Sequence, residues 1–298
     1  MTTHSRRHSF GLNSGPSSRG LLVTGIALLV STISTGCSGP AAPDDSIGGD
    51  NADQLSSRLS ARPGTPSRPA VKGFTTLGLD PLRDGFMFVP QCYASGTPTP
   101  LVVALHGSQS SSAFWAQYEQ RAEDRCFAML APDSRAATWD LAEGRLGPDI
   151  AFIDRALEHV FDRVNVDPSR IVLLGFSDGA SYAISIGVSN GDLFHHLVAH
   201  SSGFFIPFEP LVGKPAIYIS HGLNDPILPI ATVRDLIVPN FEQAGYEVTY
   251  REFDGGHQIP DAVAEEALDW WLGTPTTRFE PSRGAARAVR PPRTPAGR

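Results

Sequence analysis

The sequence predicts an α/β fold: a doubly wound, mostly parallel sheet with an antiparallel hairpin at its N-terminal edge and no large lid. Three observations predict it. Strand-like and helix-like segments alternate through the middle of the chain, as parallel β-α-β winding requires. Leu101-Val-Val-Ala-Leu105 is a short unbroken apolar run, the mark of a strand covered on both faces. Ile150, Ile153, Leu157, Val160, Phe161 and Val164 follow the 3, 4, 3 spacing of one apolar helix face.

Taken in order, the stretch around Phe74 to Leu79 and the run Gly85-Phe-Met-Phe-Val89 supply the hairpin. Leu101 to Leu105 follows as a strand, Ser111 to Asp124 as a helix and Cys126 to Leu130 as a strand. Pro148 to Val164 is the clearest helix. Pro148 and Asp149 open it, where a missing N–H is harmless and a negative charge is favoured. Asp167-Pro-Ser-Arg170 turns the chain into the strand Ile171 to Leu174, and a helix runs from Gly179 to Ile186. Strands at Leu197 to Ala199, Ala216 to Ile219 and Glu247 to Phe253 alternate with helices at Ile230 to Val238 and Pro260 to Leu272.

The two ends differ from this middle. Arg6, Arg7 and Arg19 precede an apolar run from Leu21 to Val30, which reads as a signal-peptide core and is short for a membrane span. Ser34-Thr35-Gly36-Cys37 resembles the lipobox of bacterial lipoproteins, with Ser34 where Leu is usual. Residues 1–37 are therefore expected to be an export signal and Cys37 a lipidation site, with plain secretion as the alternative. Residues 38–70 are rich in Ser, Pro, Gly, Ala and Asp, and 274–298 in Pro and Arg. Neither buries enough apolar surface to offset its ordering entropy, so both read as disordered, leaving 71–273 as the globular domain.

The formal net charge of −7 is uneven: residues 21–273 hold fifteen basic and thirty acidic side chains. An acidic globule argues against nucleic acid as a partner, because phosphate binding needs a basic face. Membrane contact is expected only through a lipid anchor. Once Cys37 is assigned to lipid, Cys92 and Cys126 remain as a possible disulfide in an exported chain, or as two separate thiols.

Gly175-Phe-Ser177-Asp-Gly179 matches G-x-S-x-G, and so does Gly187-Val-Ser189-Asn-Gly191. Context separates them. Ser177 has a strand before it and a helix after it, the surroundings of a nucleophile on a sharp bend. Ser189 continues a helix toward an Asn-Gly stop. A serine hydroxyl needs a base, and the base an orienting acid. With the nucleophile on such a bend, the acid and then the base arrive later in the chain, each past the C-terminal end of a strand. Asp225 follows the strand at 216–219, and His257 follows the strand at 247–253. His221 precedes Asp225, against that order, and reads as a partly buried histidine at a strand end. Asp254 shares the His257 loop and reads as a turn cap. The oxyanion donors are expected to be the N–H groups of Asp178 and of Ser108, with Gly107 as the alternative.

Leu105-His-Gly107, Gly175 to Gly179, His221-Gly-Leu-Asn-Asp225-Pro with Leu228-Pro229, and Gly256-His257 together resemble the carboxylesterase and acyl-protein-thioesterase-like branch of the α/β-hydrolases. The likeness spans about Leu101 to Leu272. The chain is also similar to exported polyhydroxybutyrate depolymerases and feruloyl esterases. The resemblance implies an acyl-enzyme route with no metal and no organic cofactor, and a small or polymeric ester as the partner. Asp178 departs from the Gln or small residue usual after the serine, and its carboxylate is expected to point away from the oxyanion.

The short connection between the 197 and 216 strands leaves no room for a large lid. Phe204, Phe205 and Trp139 are acyl-pocket candidates, with core packing as the competing role. Esterase, polyester depolymerase and peptidase readings all use the same three residues. A non-catalytic envelope-binding protein is the remaining alternative. Oligomeric state is not legible.

Overall fold

The apolar runs become strands because each is too short to satisfy its backbone as a helix, and pairing does so instead. A computed structural model describes residues 57–273. Among them the strands are β1 (Gly73–Thr76), β2 (Gly85–Val89), β3 (Thr99–Leu105), β4 (Ala128–Pro132), β5 (Val166–Phe176), β6 (His196–His200), β7 (Ala216–Gly222) and β8 (Val248–Phe253). They form one sheet in the order β1-β2-β4-β3-β5-β6-β7-β8. β1 and β2 make the expected antiparallel hairpin, and β2 meets β4 antiparallel. Every pair from β4 onward across the sheet is parallel.

Strand side chains alternate between two cores. Leu101, Val103, Leu105, Ile171, Leu173 and Leu197 pack on one face with α2 (Pro148–Phe161) and α3 (Asp178–Gly187). Val102, Ala104, Val172, Leu174 and Val198 pack on the other face with residues of α1 (Glu119–Arg125) and α6 (Asp261–Leu272). All seven residues of β3 are buried, as its unbroken apolar run requires.

Three expectations need correction. The helix read over 111–124 begins as a 3-10 turn, Ser112–Tyr118, before α1. The helix at 230–238 is composite: α4 (Ile230–Thr232), a π-turn Val233–Ile237 and α5 (Val238–Gln243).

The third correction concerns the linker. Residues 57–70, assigned to disorder, form an ordered strap on the domain. Leu59 and Ala61 are buried. The Asn190 side chain accepts the Leu59 N–H and donates to the Ser57 carbonyl, both at 2.8 Å. Asp154 accepts the N–H groups of Ser60 and Ala61 at 2.8 Å. Arg58 and Arg62 both pair with Asp192. Polar partners on α2 and beyond α3 thus replace the apolar burial that the composition lacks. The signal segment, Cys37 and the tail 274–298 lie outside the described residues.

Cys92 and Cys126 are bonded, with a Cα–Cα distance of 6.0 Å. The bridge ties the turn after β2 to the end of α1.

Candidate active site

In a parallel sheet all C-terminal strand ends share one edge, and the winding reverses between β3 and β5, because β4 lies outside β3 while β6 lies outside β5. Ligands of open α/β sheets bind at such a reversal. Ser108 follows β3, Ser177 follows β5, Asp225 follows β7 and His257 follows β8.

Ser177 sits on a strand-to-helix bend at φ 58° and ψ −118°. Its N–H is held by the His200 carbonyl at 2.9 Å. Two glycines permit the bend. A Cβ on Gly175 would overlap the Gly179 carbonyl, and one on Gly179 would overlap the carbonyl oxygens of Leu105 and His106. The structure brings the three predicted side chains together. Ser177 Oγ lies 2.8 Å from His257 Nε2, and His257 Nδ1 donates to Asp225 Oδ2 at 2.7 Å. A carboxylate only accepts, so Nδ1 carries the proton and Nε2 is left to receive the serine hydroxyl.

The Asp225 side chain is fully buried. Desolvation pushes its carboxyl up. The N–H of Leu228, the His257 bond and the N–H of Ile227 outweigh this and hold it below the ordinary value. It therefore stays ionised beside the imidazole.

Ser108, Ser177 and Asp178 line a cavity of about 270 Å³, with Phe204, Ile227 and Leu228 supplying apolar wall. Asp178 opens α3, so its N–H has no intrahelical partner. His106 orients the other proposed donor. Its Nδ1 donates to the Gly107 carbonyl at 2.7 Å, while Nε2 accepts the Ser134 N–H at 3.0 Å. Carbonyl and N–H point opposite ways across a trans peptide, so the Ser108 N–H faces away from His106. Among the described residues that N–H has no partner.

The Asp178 carboxylate turns toward the neighbouring loop, where Oδ2 accepts from the Thr138 hydroxyl and from the Trp139 N–H at 3.0 Å. Burial raises its pKa, partly offset by those two bonds. Sequence reasoning missed Thr138, because nothing in its surroundings marks it as a partner forty residues distant. It also missed Ser181, whose Oγ accepts the Gly203 N–H at 2.8 Å and so fixes the loop bearing Phe204.

The pocket candidates divide. Phe204 lines the cavity. Phe205 packs instead on Phe241, ring centroids 4.4 Å apart. Trp139 is wholly buried, donates Nε1–H to the His106 carbonyl at 2.7 Å and packs on Tyr182. For both, a large aromatic found more apolar area inside the core than at the open edge.

His221, expected to be partly buried, is buried outright. Asp254 is exposed and accepts from Asn224 at 3.1 Å. Ser189 is buried, its hydroxyl donated to the Phe208 carbonyl at 2.6 Å. Beyond His257 a second cavity of about 250 Å³ opens, walled by Phe114 stacked on Phe176 and by Gln258. The connection 201–215 contains no helix or strand.

The Phospholipase/Carboxylesterase family matches residues 149–270. Feruloyl esterase C of Emericella nidulans is 25% identical over 210 residues, which cover 59% of this chain and 76% of that one. Probable feruloyl esterase C of Aspergillus niger is 29% identical over 157 residues, 49% of this chain and 56% of its own. The match thus spans little more than half of the Aspergillus protein. Among solved structures, esterase PE8 superposes with a TM-score of 0.54 at 19% identity, covering 64% of this chain and 99% of that one. An S-formylglutathione hydrolase from Staphylococcus aureus gives 0.54 at 15% identity, covering 70% and 100%. At these identities the superpositions establish the fold.

Proposed function

We propose that the chain is an α/β-hydrolase of the carboxylesterase type and that it cleaves carboxylic esters through an acyl-enzyme on Ser177. The observation that carries this reading is the unbroken line from Asp225 through His257 to Ser177, at 2.7 and 2.8 Å, beside an open cavity.

His257 Nε2 takes the Ser177 proton as Oγ bonds to the ester carbonyl carbon. The carbonyl oxygen gains the negative charge and meets the N–H groups of Ser108 and Asp178. Collapse breaks the bond to the alcohol oxygen, which leaves with the proton from His257. Water then attacks the acyl-enzyme and gives one proton to His257. The acid is released and Ser177 recovers its hydrogen. Asp225 orients the imidazole and stabilises its charged form throughout.

The acyl half sits against Phe204 and Leu228, and the alcohol leaves on the side of the cavity beyond His257. Without a helical cap over 201–215 the edge stays open, which suits soluble esters. The relatives named feruloyl esterases add feruloyl esters to the substrates to test. The signal-like N-terminus and the Cys92–Cys126 bridge support an exported enzyme, lipid-anchored at Cys37 or secreted.

Ser177→Ala is expected to lower turnover of a p-nitrophenyl ester by on the order of 10⁴ or more. A fluorophosphonate probe is expected to label Ser177. Wild-type turnover in the mutant rejects the assignment. A folded protein that refuses the probe favours a binding protein. Polymer clearing and peptide release assays separate the depolymerase and peptidase readings.

A further inference from the structure

Resting on the triad reading above, we propose that His221 is a positioning residue: its Nε2–H pins the Leu228 carbonyl, fixes the loop whose N–H groups hold the Asp225 carboxylate, and so keeps Oδ2 aimed at His257.

His221 lies at the end of β7, four residues before Asp225, and its side chain has no exposed surface. Nε2 is 2.8 Å from the Leu228 carbonyl oxygen. That oxygen only accepts, so Nε2 carries a proton. The same nitrogen lies 3.3 Å from Asp225 Oδ2, which already accepts from His257 at 2.7 Å. The other oxygen, Oδ1, accepts the N–H groups of Ile227 and Leu228, both at 2.9 Å. Thus Oδ1 is held by the backbone of a loop that His221 pins at Leu228, and Oδ2 is left to His257.

This division has a chemical use. His257 exchanges a proton between the serine oxygen, the leaving alcohol and water, and its ring tilts as the partners change. Held by His257 alone, the carboxylate would follow that tilt. A loop pinned at Leu228 to the rigid end of a buried strand, and bonded to Oδ1, stops it.

The ring's other nitrogen argues against packing as its whole role. His221 Nδ1 is buried and has no partner among the described residues. An orphaned buried acceptor is destabilising. A Phe or Leu would fill the same space without that cost, and only the Nε2 bond to the Leu228 carbonyl distinguishes histidine there.

The test measures p-nitrophenyl ester kinetics for His221→Phe, His221→Gln and His221→Asn in the full chain, with circular dichroism for folding. His221→Phe keeps volume and loses the donor. Its kcat is expected to fall by about ten- to a hundredfold with KM within about twofold. The Gln amide reaches as the imidazole does and is expected to recover kcat to within about threefold, whereas the shorter Asn is expected to fail as Phe does. In an Asp225→Asn background the Phe substitution is expected to cost less than about threefold, because the carboxylate it positions is gone.

Wild-type kcat in folded His221→Phe overturns the proposal. So does an equal loss in both backgrounds, the mark of a purely structural role. If the Phe variant does not fold, wild-type kcat in His221→Asn overturns it. Ser177→Ala, run alongside, separates the two claims. Activity there rejects the triad, whereas an inert Ser177→Ala with unaffected His221 variants rejects this proposal alone.

Discussion

A single hydroxyl on an unfavourable backbone conformation organises the site. Ser177 at φ 58° is strained by about 1–3 kcal/mol, tolerated because its surroundings fix it from several sides. Gly179 is one of them. Gly179→Ala drives a methyl into two backbone carbonyls, which unlike side-chain ends cannot swing away. The expected result is a loss of at least about tenfold in kcat/KM and a destabilisation of about 1–3 kcal/mol, read from kinetics and a urea melt. An alanine variant with unchanged midpoint and kinetics contradicts the packing argument. The convergence of Ser177, Asp225 and His257 was legible from the G-x-S-x-G pattern, chain order and strand ends. Trp139 and Phe205 were left open between cavity and core. An aromatic near a strand end carries no local mark of whether it faces cavity or core, and His221 looked bland for the same reason.

Elements are tied together here by carboxylates that accept backbone N–H groups. Asp149, in the first turn of α2, accepts the N–H of Arg135 and of Asp140 at 2.6 Å, while Asp140 accepts the N–H of Gly147 and of Asp149 at 3.0 Å. This ring holds the segment that carries Thr138 and Trp139 toward Asp178. Burial outweighs the two N–H bonds and pushes the Asp149 carboxyl up from 3.8 to about 6. The folded state therefore binds this proton more tightly than the unfolded chain. The group's contribution to stability is full below its unfolded value and falls as pH rises to about 6, by up to about 3 kcal/mol. Asp149→Asn lacks that slope. Its deficit in urea midpoint relative to wild type is expected to be larger at pH 4 than at pH 7, and a deficit that grows with pH contradicts the assignment. The sequence revealed the α2 start but not the ring. It also hid the strap at 57–70, because low apolar content reads as disorder when the partners, Asp154, Asn190 and Asp192, lie far along the chain.

At the scale of the molecule, the Cys92–Cys126 bridge, 34 residues apart, restricts the unfolded chain. By loop closure it contributes about 3–4 kcal/mol, so Cys92→Ser with Cys126→Ser is expected to lower the melting temperature by several degrees without altering KM. An unchanged melt means that the bridge adds no net stability. The amino-acid sequence by itself determined the alternation of elements, the parallel sheet and the chain order of Ser177, Asp225 and His257, the proposed nucleophile, acid and base. These rest on local periodicity and on a rule of topology, both carried by neighbours in the chain. Only the tertiary structure decided which aromatics line the cavity, that the strap is ordered and that His221 reaches Asp225. Each of these depends on which surfaces compete for the same buried volume, and that competition exists only once distant segments have met.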